Sequence, residues 1–225
     1  MIIGNGLIAK TLAGIDHTNY VIFASGVSNS TETNPAMFQR EIDLLLSQER
    51  KKTLVYFSTC SITDPTLTET AYVKHKLKIE NLIKKEFPTY LILRLSTLVG
   101  KTDNPHTFFN HIKNKVLNNE EVIIHKNAWR YLFDSDDLKI IVPALLKDKE
   151  TKNTTLHAAY NNAMNVLDIV KLMDTLLKKT SKIKLLDKGS HFHFQNEELT
   201  KFLKKNNIAL YAETYNEDII RKYLL

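Results

Sequence analysis

Short, almost unbroken apolar segments that alternate with longer amphipathic ones place the strongest limit on how this chain can fold. Met1-Ile2-Ile3, Tyr20-Val21-Ile22-Phe23-Ala24, Thr53-Leu54-Val55-Tyr56-Phe57 and Tyr90-Leu91-Ile92-Leu93-Arg94-Leu95 read as buried strands. Between them, residues 6–13, 35–48 and 71–85 read as helices. In the second of these, Pro35 can open the helix, and Met37, Phe38, Ile42, Leu45 and Leu46 recur at helical spacing. Alternation of this kind argues for an α/β, Rossmann-like parallel sheet with helices on both faces. Ligands of such sheets sit at the carboxyl ends of the strands. The polar loops after Ile3, Ala24, Phe57 and Leu95 should therefore line one site.

The later chain is less regular. Helices are expected over 106–118, 136–146 (with Pro143 inside), 166–178, 196–205 and 217–223, and strands over 121–125 and 156–159. No Gly/Pro-rich linker interrupts the chain. The expectation is a single compact unit, 1–225: residues 1–102 with about 120–160 form the core, and 103–119 with about 161–225 form a small substrate cap.

Composition removes several function classes. No apolar run approaches the ~18 residues of a membrane span. The N-terminus lacks the basic region of a signal peptide, and the lone Cys60 cannot form an internal disulfide. These features point to the cytoplasm and away from the membrane. The net charge of +6 suits an anionic partner. No nucleic-acid-binding module is visible, and the basic residues do not interleave with an aromatic stripe.

Two segments carry chemistry. Gly4-Asn5-Gly6-Leu7-Ile8-Ala9 has the G-x-G-x-x-A form of a strand–turn–helix. Gly4 permits the tight turn, Gly6 lets the backbone approach a pyrophosphate, and Ala9 allows close helix packing. Tyr72 and Lys76 lie four apart, on one face of a helix. An ammonium beside a phenol favours the phenolate and would let Tyr72 move a proton. Thr59 or Ser58, at the end of the preceding strand, could hold a substrate oxygen.

Three segments together resemble the extended short-chain dehydrogenase/reductases, the family of nucleotide-sugar epimerases, dehydratases and reductases. They are Phe57-Ser58-Thr59-Cys60-Ser61, Tyr72-x-x-x-Lys76-x-x-x-Glu80 and Leu93-Arg94-Leu95-Ser96-Thr97-Leu98-Val99-Gly100. Residues 130–138 and 162–177 are similar to later segments of the same family, so the resemblance touches nearly the whole chain. It implies Tyr72 as acid/base, and Lys76 as the residue that binds the nicotinamide ribose and depresses the tyrosine pKa. It implies Thr59, with Ser58 beside it, at the catalytic Ser/Thr position. Gly4, Asn5, Gly6, Leu7, Ile8, Ala24 and Ser25 would line NAD or NADP, and Cys60, Ser61, Asn104 and Arg130 would face a nucleotide-sugar substrate. Arg130 could equally pair with Asp134 or Asp136. A homodimer through the helix carrying Tyr72 is also implied.

The sequence departs from that family in three places. No strand–helix–strand unit fits between the Gly-rich turn and Tyr20, so the adenine-binding half is truncated. Residues 20–24 are then either the family's fourth strand, the reading preferred here, or its second, which would bring Ser25, Ser28 and Ser30 near a 2′-phosphate. Cys60 and Ser61 stand where the dehydratases carry an acidic pair, which disfavours a dehydratase. Only twelve residues separate Thr59 from Tyr72.

Other candidates carry less. His191-Phe192-His193-Phe194 alternates like a strand, but two histidines do not make a metal site, and no metal is expected. Cys60 has no local histidine partner, His75 on the following helix being the nearest. Trp129 and Phe108-Phe109 suit core packing better than base stacking. The sequence thus points to an NAD(P)-dependent reductase or epimerase of a nucleotide-activated sugar. The alternatives are a non-redox isomerase or mutase of the same fold, and a non-catalytic nucleotide-binding partner protein.

Overall fold

The alternation read from the sequence is present in the computed structural model, which describes residues 1–15, 18–189, 191–193, 196–209 and 212–225. In chain order the elements are β1 (Ile2–Ile3), α1 (Leu7–Thr11), β2 (Tyr20–Phe23), α2 (Pro35–Leu46), β3 (Thr53–Thr59), α3 (Ala71–Glu86) and β4 (Tyr90–Leu95). There follow β5 (Thr97–Val99), α4 (Phe108–Leu117), β6 (Glu121–His125), β7 (Trp129–Arg130), β8 (Leu132–Asp134), α5 (Leu138–Lys147) and β9 (Thr154–Ala158). The chain ends with β10 (Met164–Asn165), α6 (Val166–Leu177), β11 (Lys182–Leu186), α7 (Glu197–Lys205) and α8 (Tyr215–Leu224). Two compact units result, one of residues 1–95 and 135–158, the other of residues 96–134 and 159–225.

In the first unit, β1, β2, β3, β4 and β9 form one sheet in that order, every pair parallel. On one face, Val21, Phe23, Leu54, Tyr56 and Ile92 pack against Ile42 and Leu45 of α2 and Ile79 and Ile83 of α3. Ile22, Val55 and Leu93, which alternate with them and so point to the other side, are fully buried; Leu12 after α1 and Leu138, Ile141 and Leu145 of α5 are fully buried too. Burial on both faces is why these strands read as continuous apolar runs rather than alternating ones. The helix starts are local: the Asn34 side chain accepts the Ala36 N–H at 3.0 Å with Pro35 in the first turn, and Thr70 accepts the Val73 N–H at 3.3 Å.

The strand order settles which strand residues 20–23 form. In the doubly wound order 3-2-1-4-5-6, a second strand lies on the far side of the first from the fourth. Here β2 lies between β1 and β3, so it occupies the position of the fourth strand. Among the described residues nothing pairs with the far side of β1. The sheet winds in one direction only, without the reversal that gives a dinucleotide crevice its second wall.

In the second unit, β5 pairs with β8 and β6 with β11, both parallel, and β7 pairs with β10 antiparallel. The Asp134 carboxylate accepts the Lys222 ammonium at 2.9 Å and the Tyr223 hydroxyl at 2.5 Å, and the Asp134 N–H donates to the Tyr215 hydroxyl at 2.9 Å. β11 was not expected from the sequence. His191, Phe192 and His193 form no strand, and Phe194 lies outside the described residues. No helix among the described residues is long and apolar enough to cross a membrane.

Gly4 has φ +121°, and a Cβ there would sit 2.4 Å from the Ala24 carbonyl oxygen. Backbone meets backbone at this point, so nothing flexible can yield. Gly4→Ala should cost about 2 kcal/mol or more of unfolding free energy, read as a lower urea midpoint. Gly6→Ala, which meets nothing within 4 Å, should cost less than half as much.

Candidate active site

The carboxyl edge of the first unit's sheet gathers the turn at 4–6, the loop at 24–27, the end of β3 and the start of α3. The Ala24 N–H donates to the Ile3 carbonyl at 2.8 Å, which brings the first two together. Gly6 is the N-cap of α1 and has no side-chain cap bond, so the first N–H groups of α1 are left for another acceptor. Asn5 and Gly6 are exposed, and Leu7 and Ile8 half-buried. With no Cβ at Gly6 and open space beside it, this turn fits a phosphate group. α1 has only five residues, so the N–H groups rather than a helix dipole make the fit. Arg40 of α2 holds the neighbouring loop, donating to the Ser25 carbonyl at 2.9 Å and its hydroxyl at 3.3 Å.

Ser58 and Thr59 end β3 and are both buried. Among the described residues the Ser58 hydroxyl has no hydrogen-bond partner. Thr59 Oγ1 accepts the Ser61 N–H at 3.1 Å and so caps the turn over Cys60–Thr63. Cys60 points inward: it is 1% exposed and its thiol donates to the Arg94 carbonyl at 3.0 Å. Burial pushes that thiol up, far from a reactive thiolate. The expectation that Cys60 faces substrate is therefore corrected, because the Arg94 carbonyl takes its proton and the core covers its sulfur. Ser61 remains half-buried beside it.

Tyr72 and Lys76 lie one turn apart on α3, as their spacing predicts, but the lysine does not lower the phenol. Burial pushes Tyr72 up to about 12; the Thr59 side chain opposes the rise and the Glu41 charge adds to it. The expected depression by Lys76 is corrected for a geometric reason. Lys76 is 2% exposed, and its ammonium is engaged 2.9 Å from the Tyr56 hydroxyl and 3.3 Å from Glu41 Oε1, while lying over the Tyr72 ring at 5.8 Å from its centroid.

Glu41 is the residue that sequence reasoning missed. It is fully buried, and its carboxylate accepts the Tyr56 hydroxyl at 2.7 Å, the Val27 N–H at 2.6 Å and His75 Nε2 at 2.9 Å, besides pairing with Lys76. An ionised carboxylate only accepts, so His75 presents a protonated Nε2 to it. Burial pushes Glu41 up, but the Lys76 charge and the bonds from His75, Val27 and Tyr56 outweigh this and hold it at about 2. Burial pulls Lys76 down, against the pull of Glu41. A second buried pair lies beside the first, Arg94 donating to both Glu80 oxygens at 2.9 and 2.7 Å. The sequence did carry a signal for Glu41: it stands within the apolar stripe Phe38, Ile42, Leu45 of α2, where a carboxylate must find buried partners.

The remaining candidates lie in the second unit. Asn104 is exposed and shapes its own loop, its side-chain oxygen accepting the His106 N–H at 2.9 Å. Arg130 donates to the Trp129 carbonyl at 2.8 Å and stacks over the Phe108 ring at 5.1 Å. Trp129 stacks on His191, and the Tyr131 hydroxyl lies 3.3 and 3.2 Å from His191 and His193. Among the described residues no group of three or more His, Cys, Asp or Glu side chains is placed to hold a metal.

Glu41 lies below its ordinary value of 4.5 in the folded protein, so the stability it contributes is complete above that pH and is lost as pH falls towards 2. The melting temperature of Glu41→Gln should therefore trail that of the wild type at neutral pH, with the gap closing between pH 4.5 and 2.5. A gap of constant size across that range would show that the carboxylate is not held by these partners.

No protein-family model matches this chain, and no curated protein matches it in sequence. Solved structures match it in fold. The UDP-N-acetylglucosamine 4-epimerase of Methanobrevibacter ruminantium M1, in complex with UDP-N-acetylmuramic acid, superposes with a TM-score of 0.72 at 14% identity, over 100% of this chain and 81% of that one. The UDP-glucuronic acid 4-epimerase of Bacillus cereus, with UDP-glucuronic acid and NAD, gives 0.62 at 15% identity over 96% and 78%. The dTDP-4-dehydrorhamnose reductase of Bacillus anthracis str. Ames, with NADP, gives 0.67 at 16% identity over 91% and 79%. The chain shares the fold of these two epimerases and this reductase over nearly its whole length.

Proposed function

We propose that this chain is an NAD(P)-dependent reductase or epimerase of a nucleotide-activated sugar, with Tyr72 as its proton-transfer group. The observation that carries this reading is the gathering, at one sheet edge, of an uncapped glycine turn, the 24–27 loop, and a half-buried tyrosine against a threonine. The fold neighbours crystallised with NAD or NADP and with UDP-sugars support it. A nicotinamide cofactor, when bound, supplies a reversible hydride.

The residues present fit the pyrophosphate and nicotinamide half of such a cofactor. The turn at 4–6 would take phosphate oxygens on its N–H groups, and Ala24 and Ser25 would pass beside the cofactor. Tyr72 would hold the proton exchanged with a sugar oxygen, and Thr59 would orient that oxygen. No strand beyond β1 forms an adenosine wall among the described residues. Cys60 and Ser61 supply no carboxylic acid for dehydration, which favours reduction or epimerisation. A cytoplasmic location and a homodimer through α3 belong to the same proposal; Leu77 on the outer face of α3 is 42% exposed. Sedimentation velocity would test the dimer.

Binding is the first test. Purified protein should bind NADH or NADPH, followed by nicotinamide fluorescence, and reduced nicotinamide mononucleotide should bind within about tenfold of the dinucleotide, since the adenosine half finds little protein. No binding of any of them would sink the proposal. With a panel of UDP- and dTDP-sugars, Tyr72→Phe should lower turnover by about 10²–10⁴-fold while leaving cofactor binding within a few-fold.

A further inference from the structure

We infer that Glu41 cancels the charge of Lys76 and thereby keeps Tyr72 a neutral phenol, so that the site is set to donate a proton rather than to accept one. This deepens the proposed function and rests on its assignment of Tyr72 as the proton-transfer group. Glu41 touches no reacting atom; it is a positioning residue that acts through Lys76.

Beside a tyrosine, an uncompensated ammonium would stabilise the phenolate and make a proton acceptor. In this chain two of the Lys76 donors are taken by Glu41 Oε1 and the Tyr56 hydroxyl, and that hydroxyl itself donates to Glu41 Oε1 at 2.7 Å. The three groups close a triangle beside the Tyr72 ring, whose centroid is 5.8 Å from the ammonium.

The loop seals it. A Cβ on Gly26 would lie 2.7 Å from the Lys76 nitrogen and 2.8 Å from Glu41 Oε1, so the bare backbone of residue 26 packs directly on the pair. The next residue, Val27, donates its N–H to Glu41 Oε2 at 2.6 Å and fixes the loop there. A ligand hydroxyl cannot reach the ammonium from this side unless the loop lifts.

The other charged and titratable groups do not undo the cancellation. From α2, Arg40 is engaged with Ser25. From α3, His75 donates to Glu41, and Glu80 is closed by both arms of Arg94 from β4. From β3, Tyr56 stays protonated, pushed well above its ordinary value by burial and by Glu41. The Lys76–Glu41 and Arg94–Glu80 pairs are each neutral, and burial is the largest influence on Tyr72, favouring the phenol.

In such a site the proton on Tyr72 Oη passes to an oxygen that gains negative charge. A sugar carbonyl would do so if its carbon received a hydride, the chemistry a reduced nicotinamide would supply; its oxygen would end as a hydroxyl, and solvent would reprotonate Tyr72. The inference therefore favours the reductive direction.

Tyrosine carrying ¹³C at Cζ reports each phenol separately, and Tyr72→Phe identifies the Tyr72 signal. In the wild type this signal should keep its phenol shift past pH 10.5. In Glu41→Gln its midpoint should fall by at least about one pH unit, because Lys76 is no longer cancelled. In the double variant Glu41→Gln, Lys76→Met it should return to within about half a unit of the wild type. A merely structural role for Glu41 would move the melting temperature but not this pattern. An unchanged midpoint in Glu41→Gln, or an equal fall in both variants, overturns the inference. Should Glu41→Gln not fold, Lys76→Met decides: its midpoint must rise, since Glu41 then stands alone, and a midpoint at or below the wild type overturns the inference. The titration uses the protein without cofactor. Its failure leaves the dinucleotide-binding test untouched, and a failure of dinucleotide binding would leave this titration pattern standing.

Discussion

Removing an ammonium from water costs several kcal/mol unless an anion and hydrogen-bond acceptors meet it in the interior. In this chain Lys76 is met by Glu41, and the remaining lone pairs of Glu41 are met by Tyr56, His75 and the Val27 N–H. One carboxylate thereby ties together α2, β3, α3 and the loop after β2. A side chain at residue 26 would force this pair to shift, because a Cβ there would lie 2.7 Å from the Lys76 nitrogen and 2.8 Å from Glu41 Oε1. It also fixes the loop that lies beside the glycine turn of β1 and α1. The geometry of the candidate site follows from this buried polar cluster as much as from the apolar core beneath it.

The second constraint is the edge position of β1. A doubly wound sheet holds a dinucleotide in the crevice where its strand order reverses. Here the order runs from β1 to β9 without reversal, so the glycine turn has the β2 end on one side and no described strand on the other. For the dinucleotide proposed above, the edge strand would leave few contacts to an adenosine, while the Glu41 cluster already holds the Lys76 ammonium.

Much of the first unit was legible in the sequence, because parallel strands buried on both faces leave continuous apolar runs and the helices between them carry local caps. β3, α3 and β4 follow from Thr53–Phe57, from the helical segment 71–85 and from Tyr90–Leu95. The second unit was harder to read. β11, with Lys182 and Lys184 exposed, pairs along one side with β6, and so short a segment has no apolar signature of its own. The His191–His193 segment alternates like a strand, yet its rings gather around the Tyr131 hydroxyl instead of entering a ladder. Alternation records which residues differ from their neighbours; it does not record whether a partner strand exists.

The sequence by itself determined that the chain would form a parallel α/β sheet. It also determined that Tyr72 and Lys76 would share a helix face, because strand burial and the 3.6-residue period are local properties. Only the tertiary structure decided that β2 lies between β1 and β3, since strand order is a non-local choice. Only the tertiary structure, too, set the state of the Tyr72–Lys76 pair. Its electrostatics depend on Glu41, more than thirty residues away in the chain but 3.3 Å from the ammonium. A pair of residues can be recognised by spacing, but its protonation follows from whatever the fold packs against it.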